Sequence, residues 1–172
     1  MATTIIEGLD GLKNLARGIT KSIDEVDGGA PVVHTVGVDL GYSNWMEITQ
    51  DRVNTFADAT DDHQFIHVDP AAAAETPFGG TIAHGYLTSS LGPALAKQVY
   101  EITGTKMGVN YGSDKVRYIT PVPVGKRLRL GVKLTKVEDI PGGAQVYMTF
   151  TYELEGAERP ACVAENIYRV YF

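Results

Sequence analysis

From Arg127 to Leu134 the chain reads RLRLGVKL, with Leu128, Leu130, Val132 and Leu134 at every second position and Arg127, Arg129, Gly131 and Lys133 between them. Alternation of period two sends one set to each face of an extended strand, so this segment predicts a strand with a buried and a solvated side. VYMTFTYEL repeats the pattern with Val146, Met148, Phe150, Tyr152 and Leu154 after an IPGGA turn, and CVAENIYRVYF closes the set. YSNWMEI reads as an earlier strand. Upstream the period changes. Val53, Phe56, Ala57 and Thr60 share one face of a helix for which Thr49 is the expected N-cap. Asp69-Pro70 starts another, because Asp accepts from free N–H groups at the cap and Pro tolerates the first helical position. Gly79-Gly80 breaks the chain before TIAHGYLTSSLGPALAKQVYEI, where Leu87, Leu91, Leu95 and Val99 line one face while Ala83, Ala94 and Ala96 keep the others small. Such a helix belongs in an interior, with a kink at Gly92-Pro93. One long buried helix followed by antiparallel strands predicts an α+β fold: a curved sheet wrapped around a central helix.

Ile5, Leu9, Leu12, Ala16 and Ile19 predict an N-terminal helix, weakened by Gly8, Gly11 and Gly18, and SIDEVDGGAPVVH reads as a connector. Residues 1–37 are thus expected to be an extension of a main domain at 38–172. A chain of 172 residues supports a single core. The net charge of -6 argues against a general nucleic-acid binder, which needs a basic surface to displace counterions. No apolar run has the length of a membrane span, and the first residues lack the basic start and cleavage site of a secretory signal. Cys162 is the lone cysteine, so no internal disulfide forms and the cytoplasm is the expected location.

Chemistry concentrates in DDHQFIHVDP, residues 61–70. In a helix, Asp62 and His67 would point about 140° apart; in a loop both can face one water molecule, the carboxylate orienting the imidazole and the imidazole moving a proton near neutral pH. The same residues also suit a capping acid and a surface imidazole, or a metal site with His63 and His67 as ligands and Asp62 or Asp69 as a third. The signatures of common metalloproteases, hydrolases and nucleotide binders are missing. A second feature is TIAHGY. Gly85 would open the central helix, where the first N–H groups lack internal partners and can meet an oxyanion, and His84 beside it reads as a supporting residue. An acid/base pair beside an oxyanion site suits addition of water next to a carbonyl.

DDHQFIHVDPAAAA followed by TIAHGYLT resembles the signature of the MaoC-like, hydratase-2 members of the hotdog superfamily, Gly-Asp-x-Asn-Pro-(Ile/Leu)-His and then (Val/Ala)-His-Gly. The resemblance runs through NYGSDKVRYITPVPVGKRLRL to the C-terminus, over about residues 38–172, and the wording is nearest the nodulation-protein-N-like branch. Asp61, Gln64 and Phe65 stand where the usual pattern has Gly, Asn and Pro. What the resemblance implies is a single hotdog fold and (R)-specific hydration of trans-2-enoyl-CoA to (R)-3-hydroxyacyl-CoA, reversible as a dehydration. Asp62 and His67 fall on the catalytic pair and Gly85 on the glycine whose N–H serves the oxyanion; Gln64 and His84 would line the substrate. Pro93 falls where the family often has a helper Ser. No metal or organic cofactor is implied. The thioester carrier is coenzyme A or an acyl carrier protein, with Lys115 and Arg117, beside Lys126, Arg127 and Arg129, as candidates for its phosphates, and a homodimer is implied. The competing readings are a non-catalytic acyl-thioester-binding subunit and, with no acid in residues 86–100 to support it, a thioesterase.

Overall fold

In the computed structural model, which describes residues 2–24 and 32–172, the chain begins with β1 (Thr4–Ile6), α1 (Gly8–Ala16), β2 (Thr20–Asp24), β3 (Val32–Val36), β4 (Val38–Tyr42) and β5 (Met46–Glu47). Four short helices and a fifth follow: α2 (Gln50–Thr60), α3 (Phe65–Val68), α4 (Pro70–Ala74), α5 (Gly85–Ser90) and α6 (Gly92–Ala96). The remainder is strand: β6 (Tyr100–Ile102), β7 (Met107–Tyr118), β8 (Arg127–Ile140), β9 (Gly143–Leu154) and β10 (Cys162–Tyr171).

The main sheet is antiparallel with order β4-β8-β9-β10-β7, and β5 pairs further along β8. Its inner face is the one the alternation predicts: Leu128, Leu130, Val132 and Leu134 face Val146, Met148, Phe150, Tyr152 and Leu154, all buried. A register shift after Leu134 leaves Thr135 outside the ladder and turns Val137 toward the core. The hairpin from Ile140 to Gly143 turns on Pro141-Gly142, where Gly142 takes the positive φ of 75° that a turn with Pro before Gly needs.

The central helix is shorter than its apolar run. It breaks between α5 and α6, and its expected last turn is the strand β6. Pro93 has no N–H to give the carbonyl of Ser89, four residues back. That carbonyl instead accepts from the buried Tyr152 hydroxyl at 2.9 Å. The break is therefore satisfied from the sheet.

The N-terminal segment joins the main core. The predicted helix begins at Gly8, while Thr4–Ile6 pairs in parallel with β6, and the Thr4 N–H donates to the Val99 carbonyl at 2.8 Å. Ile6 and Leu12 are among the most deeply buried residues, packed with the sheet residues. The extension covers apolar surface at the end of the central helix, which is why its own apolar stripe exists. The flanks of the expected connector form an antiparallel hairpin, β2 with β3; its residues 25–31 lie outside the described residues.

Candidate active site

Helix α2 ends at Asp61, which caps it in the left-handed conformation with φ 58°. Glycine adopts this conformation without steric cost and Asp is among the side chains that tolerate it best. That accounts for an acid where the usual pattern has Gly. The reversal throws Asp62 back toward the start of α5. Residues 62–64 are irregular and Phe65–Val68 make one helical turn, so the expected loop is half helix. Asp62 lies before that turn and His67 within it, which removes the angular objection to their meeting. The Gln64 carbonyl accepts the His67 N–H at 2.9 Å while the rest of Gln64 is exposed at the rim.

His67 is buried, and its Nδ1 lies 2.7 Å from the carbonyl of Ile82. Since a carbonyl can only accept, Nδ1 carries the proton and Nε2 of the neutral ring keeps its lone pair. Burial holds the imidazole below its ordinary value near 6.5; nearby His84 acts in the same direction, and the bond to Ile82 and the charge of Asp62 oppose it. The ring is thus neutral, with a base nitrogen free, at neutral pH.

His84 stacks on His67 with ring centroids 3.8 Å apart and 29° between planes, and Phe56 of α2 packs against it from another side at 5.0 Å. Its Nε2 donates to the Asp62 backbone carbonyl at 2.9 Å and lies 4.0 Å from the Asp62 carboxylate. His84 therefore holds Asp62 in place from beneath. One atom each from Asp62, His67 and His84 lie within 4.8 Å of one another. The two rings are stacked face to face, whereas a metal ion lies close to the plane of each imidazole that binds it. The arrangement suits proton transfer better than chelation. His63 is turned away, its Nε2 2.9 Å from Asp58 on the exposed end of α2, which raises its pKa. The pairing of His63 with His67 as metal ligands is thereby replaced.

Gly85 follows His84 directly and opens α5, so its N–H has no intrahelical acceptor. A Cβ here would stand 3.1–3.2 Å from the ring of Tyr118. The ring fills the place a side chain would take, its hydroxyl 3.0 Å from Ser89 Oγ, and Tyr86 packs edge-on against it. Lys115 and Arg117 alternate with Val116 and Tyr118 along β7 and so face the other side of the sheet; the Arg117 guanidinium donates to the Val116 carbonyl. They are not brought to the His67 cluster. Arg127 and Arg129 are paired with Glu155 and Glu153 across the β8–β9 ladder.

Three contributors have no local signature: Tyr118, which shapes the opening at Gly85, and Gln50 and Thr81, which bond to each other beside His67. Thr49 as N-cap locates Gln50 at the head of α2, but nothing nearby in the chain announces partners 17 and 31 residues away.

Comparison with known proteins supplies a family. A family model described as MaoC like domain matches residues 31–157. The chain is 51% identical over 141 residues to 3-hydroxyacyl-thioester dehydratase Z of Mycobacterium tuberculosis, covering 81% of this chain and 93% of that protein. It is 44% identical over 147 residues to nodulation protein N of Rhizobium leguminosarum bv. viciae, covering 83% and 91%. Among solved structures, the (R)-hydratase from A. caviae involved in PHA biosynthesis superposes with a TM-score of 0.64 at 26% identity over 77% of this chain and 94% of that one. The unliganded R-hydratase PhaJ1 from Pseudomonas aeruginosa gives a TM-score of 0.64 at 25% identity, covering 79% and 81%.

Proposed function

Because the chain belongs to the MaoC-like family, we propose that it is a lyase that adds water reversibly to trans-2-enoyl thioesters, giving (R)-3-hydroxyacyl thioesters, with Asp62 and His67 as its acid/base pair. The observation that carries the role of the pair is the convergence of a half-exposed carboxylate and a buried imidazole whose Nδ1 is committed to Ile82 and whose Nε2 is free. Water held between the Asp62 carboxylate and His67 Nε2 loses a proton to the imidazole as its oxygen bonds to C3. Electrons of the C2=C3 bond move toward the thioester oxygen, where the Gly85 N–H receives the developing charge. The pair returns one proton to C2 from the side on which the water added, so the sum is H and OH across the double bond. Dehydration runs the same steps backward.

The enoyl chain lies along α5, with Gln64 at the rim beside it and His84 supporting Asp62. Coenzyme A is the proposed carrier; Lys115 and Arg117, which face the other side of the sheet, are not assigned to its phosphates. Charge reversal at both should therefore leave KM for an enoyl-CoA unchanged. A homodimer is proposed from the exposed, apolar edge of β7, where Met107, Val109 and Tyr111 stand in solvent and, among the described residues, one side of the strand has no partner. Such an edge is a template for pairing with a second copy, and a monomer in light scattering would remove that proposal. No helix among the described residues is long and apolar enough to cross a membrane. A cytoplasmic setting is proposed from the lone cysteine, Cys162, which leaves no internal disulfide to form.

The test is to follow loss of the conjugated-thioester absorbance with short and long enoyl-CoAs and to resolve the product's stereochemistry. The (R) product is expected. Release of free thiol would favour a thioesterase, and ligand-induced thermal stabilisation without turnover a binding subunit; either result defeats the proposal.

A further inference from the structure

His67 and the carbonyl that orients it belong to different stretches of chain, and a third stretch ties them. The Gln50 amide uses every hydrogen-bonding direction that matters here. Its Nε2 donates to the His67 backbone carbonyl and to Asn54 Oδ1, each at 2.8 Å, while its Oε1 accepts from the Thr81 hydroxyl at 2.6 Å. Thr81 is itself buried and immediately precedes Ile82, whose carbonyl holds His67 Nδ1 at 2.7 Å and whose N–H donates to the Ile66 carbonyl at 3.0 Å. The Thr81 carbonyl accepts in turn from Val124 N–H at 2.9 Å, anchoring this stretch to the sheet side. Both ends of the Nδ1–carbonyl bond are therefore gripped by one amide group.

We propose that Gln50 is a positioning residue that holds His67 against Ile82 and so selects the imidazole tautomer with a free Nε2, without touching substrate itself. A short helical turn such as Phe65–Val68 has too few internal hydrogen bonds to hold a ring by itself. Without Gln50, the His67 carbonyl and the Thr81 hydroxyl lose their shared partner, the Ile82–Ile66 backbone bond alone ties the two stretches, the ring shifts against the Ile82 carbonyl, and Nδ1–H and Nε2–H forms interchange. Since a displacement near 1 Å at a catalytic group costs up to about 10²-fold in rate, the loss falls on kcat. The claim about rate rests on the proposed hydratase activity; the claim about the tautomer does not.

Gln50→Met keeps the length of the side chain and removes its hydrogen bonds. In this variant and in Thr81→Val, kcat for crotonyl-CoA should fall by about 10-fold to 10²-fold with KM within about twofold, and the double variant should be little worse than the worse single one, as for two ends of one tie. Long-range ¹H–¹⁵N spectra should show the Nδ1–H form of His67 in the parent protein and a mixture in Gln50→Met, the resonances being assigned by their loss in His67→Gln. Gln50→Glu keeps the acceptor for Thr81 but not the donor to His67, and should be impaired like Gln50→Met. If Gln50→Met unfolds, Gln50→Glu and Thr81→Val carry the same test. An unchanged tautomer and unchanged kcat in the folded variants would overturn the proposal, as would losses confined to melting temperature. If the parent protein has no hydratase activity the spectra still decide the role of Gln50, so the two failures are distinguishable.

Discussion

The β8–β9 ladder and the segment from Asp61 to Gly85 hold their side chains in place by different physics. In the ladder, facing residues are fixed by apolar contact: Leu130 against Tyr152, Val132 against Phe150, Leu134 against Met148. Each position is redundant in the sense that neighbours of similar size surround it, and the outward faces carry exposed pairs such as Arg127–Glu155. The segment around His67 has little regular structure, and its geometry is set by single hydrogen bonds to carbonyls, at Ile82 for His67 and at Asp62 for His84. Packing tolerates small displacements and stabilises in proportion to area. A lone hydrogen bond selects a tautomer, and its loss changes chemistry more than stability. Stability and activity should therefore separate on mutation, region by region.

The strongest test of that separation lies in the ladder. Phe150→Ala, at a fully buried position, should cost about 3–5 kcal/mol in urea denaturation while activity per folded molecule stays near the parent value. At the other pole, Asp62→Asn and His67→Gln should each lower crotonyl-CoA hydration by at least ~10²-fold without unfolding the domain. Parent-like activity in both would break the assignment. Tyr152→Phe probes the join between the two regions: it leaves the Ser89 carbonyl without its partner and should cost about 1–3 kcal/mol, measurable by thermal melting.

His67 is held below 6.5 chiefly by burial, so the neutral imidazole that the proposed step requires should persist below that pH, and the acid limb of kcat/KM should lie below 6.5. The unfolded chain takes up this proton near 6.5, before the folded protein does, so His67 also lowers stability as pH falls from about 6.5 toward the folded value. A limb at or above 6.5 would mean that burial does not govern this ring. The smallest effect is expected at Asp61, where Asp61→Gly relieves a left-handed backbone and should stabilise by up to about 1 kcal/mol, seen as a small rise in melting temperature.

Much of this was readable along the chain. The inward residues of β8 and β9, the Thr49 and Asp69 caps and the break at Gly92-Pro93 all stand where pattern and cap chemistry put them, because each depends on residues within a few positions of itself. The nearness of Asp62 to His67 follows the expectation drawn from spacing and family resemblance; their role as a pair belongs to the proposal. The N-terminal segment was less so: its apolar stripe announced a helix but not that Ile6 and Leu12 would enter the main core.

The periodicities, the caps and the residue types able to move a proton follow from amino-acid order alone, since these are local properties of neighbouring side chains and backbone. The stacking of His84 on His67, the orientation of the His67 ring by Ile82, the bridge made by Gln50 and Thr81 and the outward turn of Lys115 and Arg117 emerge from the packed fold. Those choices join stretches far apart in sequence, and a hydrogen bond spanning them leaves no period for a linear reading to detect.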